Sequence, residues 1–410
     1  MRIAILGAGI SGLVCGYLLR RNHDVTIFEA NDYIGGHTHT VAVEVDGERH
    51  EVDTGFIVFN DDFYPNFTRL LAELGVKSQL TTMSLSVRCD ESGLEYCGGS
   101  LDGLFAQRGN LFNWRYYRLL REVRRFQEQG VQALDSIDDQ LTVAGFIEHY
   151  EYSSDFLRWF LMPMGSALWS APLDEFKRYP IRFVIQFFRN HGMMQILDRS
   201  PWRVITGGSV RYVERLTAGW TDSIRLRLPV RRVTRRADSI DVNHEQGVER
   251  FDEVIFACHS DQALRLLDQP STVETEILSH FPYQENETVL HTDTSVLPSN
   301  HRAWGSWNYH LARHSEKAAS VTYNMNLLQS LRAKSTFCVS LNEEGIRDDR
   351  ILKRIRYHHP VFRTGRERMQ ARHAELIRGQ RSSYCGAYWG FGFHEDGVRS
   401  ALAVCKAYGV

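Results

Sequence analysis

The chain opens with a hydrophobic run that leads into a glycine-rich turn. Residues 2–6 have the composition of a buried parallel strand, and Gly7-Ala8-Gly9-Ile10-Ser11-Gly12 follows directly. Residues 13–21 have helical character, and residues 24–29 form a second short strand-like run. A strand, a glycine turn, a helix and a strand within about 30 residues predict the βαβ unit of a dinucleotide-binding fold.

Beyond this unit the periodicity changes along the chain. Alternating polar and apolar residues predict strands over 40–45 and 49–54 around the turn Asp46-Gly47. Residues 62–74 have a helical pattern, and Gly75 is typical of the residue that ends such a helix. The middle third is mainly helical, and strand signals then return before a last helix. The predicted segments are helices over 114–129 and 141–159, an apolar run over 183–188, strands over 224–235, 239–243 and 254–257, mixed strand pieces over 285–342, and a helix over 397–408.

Composition limits the class of protein. With 410 residues, 43% hydrophobic and 24% charged, the chain has the size and composition of a globular protein of two or three domains. A net charge of -2 gives no basic surplus, so we do not expect nucleic-acid binding. Of the 48 basic residues 42 are Arg, a bias that we cannot tie to a function. No linker interrupts the chain, which favours interleaved domains.

The termini and the cysteines indicate a cellular compartment. No secretory signal and no apolar run of about 18 residues is visible, so we expect a cytoplasmic protein. The seven cysteines are scattered without a zinc-like spacing, which fits a reducing environment and predicts no metal site. We interpret His358-His359, ahead of Pro360, as a surface or turn feature.

The glycine turn carries the first candidate site. Gly7 permits the tight turn, Gly9 lets the backbone approach a pyrophosphate, and Gly12 allows close packing of helix on strand. Ile10 and Ser11 begin the helix, whose free N–H groups favour phosphate. Glu29, followed by Ala30, lies where a carboxylate accepts hydrogen bonds from ribose hydroxyls and repels a 2′-phosphate.

A second glycine pair extends the motif. Gly35 and Gly36, followed by His37 and Thr38, permit another close approach of backbone to the same long ligand. Here the chain resembles the FAD-binding superfamily of amine oxidases, protoporphyrinogen oxidases and phytoene desaturases. Further stretches are similar to that superfamily: Asp53-Thr54-Gly55-Phe56, Thr206-Gly207-Gly208-Ser209, the strand at Val230, and residues 251–257.

The C-terminal stretch SYCGAYWGFGFHEDGVRSA, residues 383–401, resembles the last FAD motif of the superfamily. The resemblance implies that Gly386 lies near the ribityl phosphate. It also implies that Asp396, Gly397 and Val398 begin a helix aimed at the flavin N1–C2=O edge, whose negative charge on reduction such a helix end stabilises. The sequence of this stretch is similar to that of a bacterial subgroup of predicted NAD/FAD-binding flavoproteins associated with cyclopropane fatty-acid synthases.

The resemblance implies a complete architecture. It is an α/β fold with a Rossmann-like, glutathione reductase-like FAD-binding domain and an α+β substrate domain. The FAD-binding domain comprises residues 1–78, 200–280 and 372–410, and the substrate domain residues 79–199 and 281–371. We expect non-covalent FAD, since Cys385 in the strand before Gly386 is more typical of a small buried side chain than of a flavin attachment point. The predicted cofactor-binding residues are Gly7, Gly9, Ile10, Ser11, Gly12, Glu29, Ala30, Gly35, Gly36, His37, Thr38, Gly55, Phe56, Val230, Gly386, Asp396, Gly397 and Val398.

The expected chemistry is hydride transfer from a substrate C–H to flavin N5, with His394, Trp389 and Tyr388 as candidate catalytic residues. The resemblance implies a small-molecule or lipid substrate, in particular a modified fatty-acyl chain, and with it a lipid methyltransferase partner and peripheral contact with the inner face of the membrane. An amine oxidase is the first alternative. The strand over 285–293 lacks the Lys that many amine oxidases place near N5, which weakens that alternative. The second alternative is a partner of a lipid methyltransferase in which FAD is structural, and an NAD-only dehydrogenase is disfavoured.

Overall fold

The structure is a computed structural model of the chain. It describes residues 1–134, 136–138, 140–169, 173–190, 192–194, 200–313 and 320–410. In this part of the chain the strands are β1 Arg2–Leu6, β2 Asp24–Phe28, β3 Thr40–Val45, β4 Glu48–Asp53, β5 Val58–Phe59, β6 Ser78–Leu80, β7 Leu85–Cys89, β8 Leu94–Cys97, β9 Arg203–Ile205, β10 Ile224–Arg225, β11 Val230–Arg235, β12 Ile240–His244, β13 Gly247–Phe251, β14 Glu253–Phe256, β15 Tyr283–His291, β16 Trp307–Leu311, β17 Ser320–Asn324, β18 Cys338–Leu341, β19 Ile351–Pro360 and β20 Ser382–Tyr384. The helices are α1 Ile10–Leu19, α2 Pro65–Glu73, α3 Leu101–Leu104, α4 Trp114–Ala133, α5 Val143–His149, α6 Ser154–Phe156, α7 Met162–Trp169, α8 Leu173–Lys177, α9 Ile181–Asn190, α10 Val210–Thr217, α11 Ser260–Leu266, α12 Thr272–Leu278, α13 Met325–Leu328, α14 Arg366–Gln370 and α15 His394–Ala407.

A parallel sheet in the order β10-β2-β1-β14-β20 organises one part of the molecule. Alternate residues of β1 enter different cores: Ile3 and Ile5 pack with α1 and α15, and Ala4 and Leu6 pack on the side of β11–β13. Both faces of the sheet are therefore covered, which explains why its strands are apolar at every position rather than at alternate ones.

A seven-stranded sheet in the order β19-β15-β18-β17-β16-β7-β8 organises the other part. Its neighbours are antiparallel except for β16 and β7, which pair in parallel. Helices α4 to α9 pack beside it around a large aromatic core. The parallel sheet and the seven-stranded sheet draw their strands from different parts of the chain, and the domain boundaries at residues 78, 199, 280 and 371 stay a prediction.

Most predicted elements are present within one to four residues, and three differ for local physical reasons. The helix predicted over 141–159 is interrupted after His149, where Glu151 has a φ of 51°. The strand predicted over 224–235 divides into β10 and β11, which join different sheets, since Arg227 has a φ of 54°. The final helix begins at His394 rather than at 397, because the Asp396 carboxylate accepts a hydrogen bond from the Phe393 N–H (3.0 Å).

Candidate active site

The glycine turn lies at the carboxyl end of β1, between the sheet and α1. A Cβ on Gly7 would lie 2.8 Å from the Ala257 carbonyl oxygen, and one on Gly12 would lie 2.0 Å from the Gly7 carbonyl oxygen. Gly9 differs, because a Cβ there would meet no atom within 4 Å. Gly7 and Gly12 are thus required by packing within the protein, whereas Gly9 borders open space at the N-terminus of α1.

The second glycine pair packs directly onto this turn. A Cβ on Gly36 would lie 2.9 Å from Cα of Gly9, and Gly9 and Gly35 form a bridge between their backbones. A Cβ on Gly55 would lie 2.1 Å from the His37 carbonyl oxygen. The structure therefore assembles Gly9, Gly35, Gly36, His37 and Gly55 into one continuous backbone surface.

The start of α15 completes this surface. A Cβ on Gly397 would lie 2.9 Å from Ile10, and the Ser11 hydroxyl donates a hydrogen bond to the Gly397 carbonyl (3.0 Å). Val398 is buried in the same core as Ile10. The N-termini of α1 and α15 consequently lie together at the carboxyl edge of the parallel sheet, the usual position of ligands in open α/β folds.

Glu29 lies at the end of β2 and is buried. Its carboxylate accepts hydrogen bonds from the Ala8 N–H (2.8 Å) and from the Asn31 N–H (2.9 Å). Ala30 beside it is exposed, and the Leu228 N–H, two residues before Val230, donates to the Glu29 carbonyl. Ala30 and the segment that leads into Val230 thus lie next to Glu29, the residue that the sequence assigns to a ribose.

Two motifs that are distant in sequence meet behind the glycine surface. Both oxygens of Asp53 accept from the Ser209 N–H (2.9 and 3.0 Å), and Thr40 also donates to Asp53. Burial nevertheless raises the pKa of Asp53 to about 6. This contact links the Asp53–Phe56 stretch to the glycine pair before α10.

His394 is the first residue of α15 and lies in a closed environment. Its ring stacks on Phe56 at 3.6 Å between centroids, and its Nε2 lies 3.0 Å from Thr38 Oγ1 and 2.9 Å from Tyr212 OH. Burial holds the pKa of His394 well below its usual range. This neutral ring borders a cavity of about 160 Å³ and ties Thr38 and Phe56 to the start of the helix.

The other two candidate catalytic residues lie elsewhere. Tyr388 and Trp389 belong to the core on the β11–β13 side of the parallel sheet, where Trp389 stacks on His373 at 4.0 Å and both rings contact Phe281. Neither residue borders the cavity that His394 lines. The structure therefore does not bring them together with His394, and a role in catalysis stays a prediction for both.

Gly386 and Asp396 stabilise the connection between β20 and α15. The Gly386 N–H donates to Ser400 Oγ (2.9 Å), and a Cβ on Gly386 would lie 2.5 Å from the Tyr388 ring. Asp396 is buried, which raises its pKa to about 6, and it forms an ion pair with Arg399. Cys385 is fully buried with its sulfur 3.8 Å from that of Cys15, as expected for a small hydrophobic side chain.

A cavity of about 160 Å³ lies between the glycine surface, the seven-stranded sheet and the helices. Its wall includes Gly55 and His394 from the candidate cofactor site. The helices α7 and α9 and the C-terminal stretch supply aromatic wall residues, and the strands supply a few polar ones. The aromatic members are Phe56, Tyr64, Trp169, Phe187, Trp202, Trp307, Tyr323, Tyr357, Phe391 and Phe393. Among the described residues of the wall there is no Asp, Glu, Lys or Arg.

Polar wall residues come mainly from β15, β19 and the loop before β3. The His37 ring lies 4.6 Å from the Tyr357 ring and 5.1 Å from the His359 ring. Desolvation among the side chains of the cavity wall lowers the pKa of His37 to about 4 and holds that of His359 well below its usual range, and neighbouring histidines act in the same direction. Both imidazoles are therefore neutral at neutral pH.

A chain of amides determines the tautomer of His359. Asn286 Oδ1 accepts hydrogen bonds from Asn342 Nδ2 (2.7 Å) and Gln284 Nε2 (3.0 Å), which orients the Asn286 amide. Asn286 Nδ2 then donates to His359 Nδ1 (2.8 Å). Because Nδ1 accepts, the proton of the neutral ring is on Nε2. His359 thus brings an N–H donor to a wall that is otherwise largely apolar.

Thr288 is the second polar residue that β15 supplies. Its hydroxyl oxygen is fully buried and has no hydrogen-bond partner among the described residues. Buried hydroxyl groups are normally paired, and an exception next to a cavity is typical of a ligand-contacting position.

The sequence interpretation of His358-His359 is wrong for His359. His358 is exposed and pairs with Glu285 (3.5 Å), whereas His359 is half-buried and lines the cavity. The two side chains point to opposite faces of β19, as alternation along a strand requires. Asn286, Thr288 and Tyr357 also contribute to this site and were not predicted from the sequence. Side chains alternate between the two faces of a strand, so a strand predicted over residues 351–360 would have placed His358 and His359 on opposite faces.

The residues at the sheet edge fit FAD. Gly9 leaves room beside the N-terminus of α1 for a pyrophosphate, and Glu29, directly after β2, supplies a carboxylate for a ribose. The start of α15 lies beside the cavity wall at His394, where its N–H groups would face the flavin ring.

Curated proteins match parts of the chain. A tryptophan 2-monooxygenase from Allorhizobium ampelinum is 29% identical over 187 residues, which is 43% of this chain and 22% of that protein. A 15-cis-phytoene desaturase from Synechococcus elongatus is 36% identical over 88 residues, 21% of this chain and 18% of that protein. The chain thus spans about a fifth of the length of these curated relatives.

The whole fold has counterparts among solved structures. Putrescine oxidase bound to putrescine matches with a TM-score of 0.70 at 14% identity, and the match covers 100% of each chain. A likeness at this identity establishes the fold: a Rossmann-like FAD-binding domain with a substrate domain. The model of the flavin containing amine oxidoreductase family matches residues 10–310. The chain therefore belongs to the flavin containing amine oxidoreductase family, whose members are FAD-dependent oxidoreductases.

Proposed function

We propose that the protein is a desaturase-like FAD-dependent oxidoreductase acting on a neutral, apolar chain, in particular a modified fatty-acyl chain. Two adjacent carbons lose one hydrogen as hydride and one as a proton, a C=C bond forms, and FAD would take up both as FADH2. The observation that carries the proposal is the cavity wall, which is aromatic and aliphatic and whose described residues include no charged side chain. The proposal extends the family membership to a substrate class.

The wall favours neutral substrates over alkylammonium ions. An ammonium group taken from water into an apolar cavity loses several kcal/mol of hydration unless a carboxylate or several hydrogen-bond acceptors replace the water. The neutral His37 and the Nε2–H donor of His359 do not supply a negative charge. A methylene chain needs no such partner and gains about 0.8 kcal/mol for each CH₂ that it buries.

The residues of the chain have distinct parts in the proposed reaction. FAD, when bound at the carboxyl edge of the parallel sheet, would supply the two-electron acceptor for this oxidation. Phe391, Phe393 and Trp169 line the cavity and would keep water away from the reacting carbon. His359 holds its proton on Nε2 and donates a hydrogen bond to a polar group of the substrate, which orients the chain. We propose His394 as the residue that holds the start of α15 against Thr38 and Phe56.

Amine oxidation is the alternative that the relatives favour, since tryptophan and putrescine are amine substrates of the proteins named for them. The position of β15 argues against it for this chain. This strand borders the cavity through Thr288, and Tyr283–His291 contains no Lys.

Anaerobic reduction of the bound flavin tests the proposal. The purified holoprotein is mixed with fatty acids and phospholipids that carry unsaturated or methylated chains and, separately, with putrescine and tryptophan. Loss of the oxidised flavin absorbance with a lipid and not with the amines is expected. Reduction by the amines alone would establish the alternative. No reduction by any compound, together with a stable complex with a lipid methyltransferase, would assign FAD a structural role.

A further inference from the structure

Exposed apolar side chains concentrate in one segment at the start of the helical bundle. Five of the eleven strongly exposed large apolar residues in the described part of the chain lie between Leu101 and Tyr117. Phe112 is 92% exposed, Leu101 77% and Trp114 73%. We call Leu101, Leu111, Phe112, Trp114 and Tyr117 the aromatic patch. A water-facing group of this kind marks an interaction surface, because it is costly to hydrate.

Hydrogen bonds and ring contacts order the backbone that presents the patch. The Asn113 side chain accepts from the N–H groups at the start of α4, which caps that helix. The Tyr116 hydroxyl donates to the Leu104 carbonyl (2.7 Å), and the Tyr117 ring lies 6.1 Å from Phe105. Helix α3 and the first turn of α4 are thus adjacent, and the exposed side chains do not fold back onto the protein.

The charges around the patch identify the partner. Residues 101–121 contain four arginines, Arg108, Arg115, Arg118 and Arg121, and one carboxylate, Asp102. Arg108 pairs with Asp102, and Arg115 and Arg118 pair with Asp155, so four arginines face two carboxylates and a positive surplus remains. Arg118 lies over the Trp114 ring at 5.5 Å, and Arg121 is exposed. Tryptophan, tyrosine and arginine together are typical of segments that lie at the polar boundary of a bilayer, where aromatic rings enter the headgroup region and arginines contact phosphates.

We propose that the aromatic patch docks the protein on a bilayer surface that contains anionic lipids. In the described part of the chain no helix combines the length and apolar composition needed to cross a bilayer, so such contact would be peripheral. The patch lies outside the cavity, and the inference goes beyond the proposed function. It is also connected to the cavity, because α4 packs on α9, whose Phe187 lines the cavity wall.

Co-flotation of the holoprotein with vesicles tests the docking. We expect the protein to float with vesicles of phosphatidylglycerol and phosphatidylcholine and to float less with phosphatidylcholine alone. The double variant Phe112→Ser/Trp114→Ser should lose about tenfold or more of its affinity, and Arg121→Gln about fivefold, since each basic residue near an anionic surface contributes about 1 kcal/mol. The control Leu80→Ser/Val248→Ser removes two exposed apolar residues elsewhere, each 61% exposed, and should float like the wild type.

Three results would overturn the proposal. The first is a wild type that stays in the unbound fraction with both kinds of vesicle. The second is a Phe112→Ser/Trp114→Ser variant that floats as well as the control. A dimer that dissociates on dilution, that this double variant abolishes and that binds no vesicle would assign the patch to a second copy of the chain. Equal thermal unfolding of the variants and the wild type shows that any loss of flotation does not come from misfolding, because the patch residues are exposed.

Discussion

Asn286 donates a hydrogen bond from Nδ2 to Nδ1 of His359 across 2.8 Å, between the neighbouring strands β15 and β19. The donor direction is determined, because Asn342 and Gln284 both donate to the other end of the Asn286 amide. The contact therefore specifies which nitrogen of a cavity-lining histidine carries the proton.

The first prediction concerns this tautomer. Asn286→Asp replaces the donor with an acceptor, so the proton of His359 should move to Nδ1 and the pKa of His359 should rise. Nitrogen NMR of labelled histidine should show the Nε2–H form in the wild type and the Nδ1–H form in the variant. Flavin reduction by substrate should slow by about 10- to 100-fold, the cost of losing one oriented hydrogen bond.

Glu287→Gln is the control for this variant. Glu287 is the next residue of β15, but it faces solvent and pairs with Arg354 (3.0 Å). The Glu287→Gln variant should keep the wild-type His359 signals and the wild-type rate of flavin reduction. Identical His359 signals in the wild type and Asn286→Asp would contradict the assignment.

The second prediction separates two glycines of the same turn. Gly9→Ala places a methyl group in open space, so the apoprotein should unfold at the wild-type temperature but bind FAD poorly, since the methyl group would stand against the pyrophosphate. Gly12→Ala forces a methyl group within 2.0 Å of the Gly7 carbonyl and should destabilise the apoprotein itself by about 1–3 kcal/mol. Thermal unfolding and flavin absorbance measure the two effects independently. Full FAD occupancy in Gly9→Ala would refute the cofactor site.

The elements around this turn were predictable because their information is local. The Gly7–Gly12 motif, the apolar strand before it and the carboxylate at Glu29 lie within one short stretch of chain. The turn at Asp46-Gly47 has positive φ at both residues, as the residue types predict. Such features follow from steric rules that operate over a few residues.

The polar wall of the cavity was not predictable in the same way. Asn286 and His359 lie 73 residues apart and meet only because β15 and β19 pair in one particular register. A shift of one residue would turn His358 inward instead. The positions of Tyr388 and Trp389 were also not predictable from the sequence. A single turn of 3-10 helix over Ala387–Trp389 directs both rings into the core on the β11–β13 side of the parallel sheet, away from the cavity.

The third prediction concerns the buried hydroxyl of Thr288. Thr288→Val removes an oxygen that has no partner among the described residues, so the free energy of unfolding should stay constant or rise by up to about 1 kcal/mol. Thr322→Val in the same sheet removes a hydroxyl bonded to Ser340 (2.6 Å) and should lose about 1 kcal/mol or more. Chemical denaturation compares the two. A larger loss in Thr288→Val than in Thr322→Val would show that Thr288 is paired.

The fourth prediction is a pH dependence of stability. Burial lowers the pKa of His291 to about 4, and its ring accepts from the Asp293 N–H and contacts Ser340. Between pH 6.5 and 4 the unfolded chain binds a proton that the folded protein excludes, so stability falls as the pH falls through this window. From pH 7 to pH 5, His291 should contribute a loss of roughly 2 kcal/mol.

His291→Asn tests this contribution, because asparagine keeps polar atoms near Asp293 and Ser340 but does not titrate. The variant should lose less stability than the wild type between pH 7 and pH 5 in denaturant titrations. Equal losses in the two proteins would contradict the neutral, buried state of His291.

A single-turnover experiment tests the central proposal most directly. Holoprotein is mixed without oxygen with one unsaturated or methylated fatty-acyl lipid, and the reduced flavin and the lipid are measured in the same sample by absorbance and mass spectrometry. We predict that one lipid molecule loses two hydrogens for each flavin that is reduced. An unchanged lipid, together with flavin reduction by putrescine under the same conditions, would contradict the assignment of a neutral, apolar substrate.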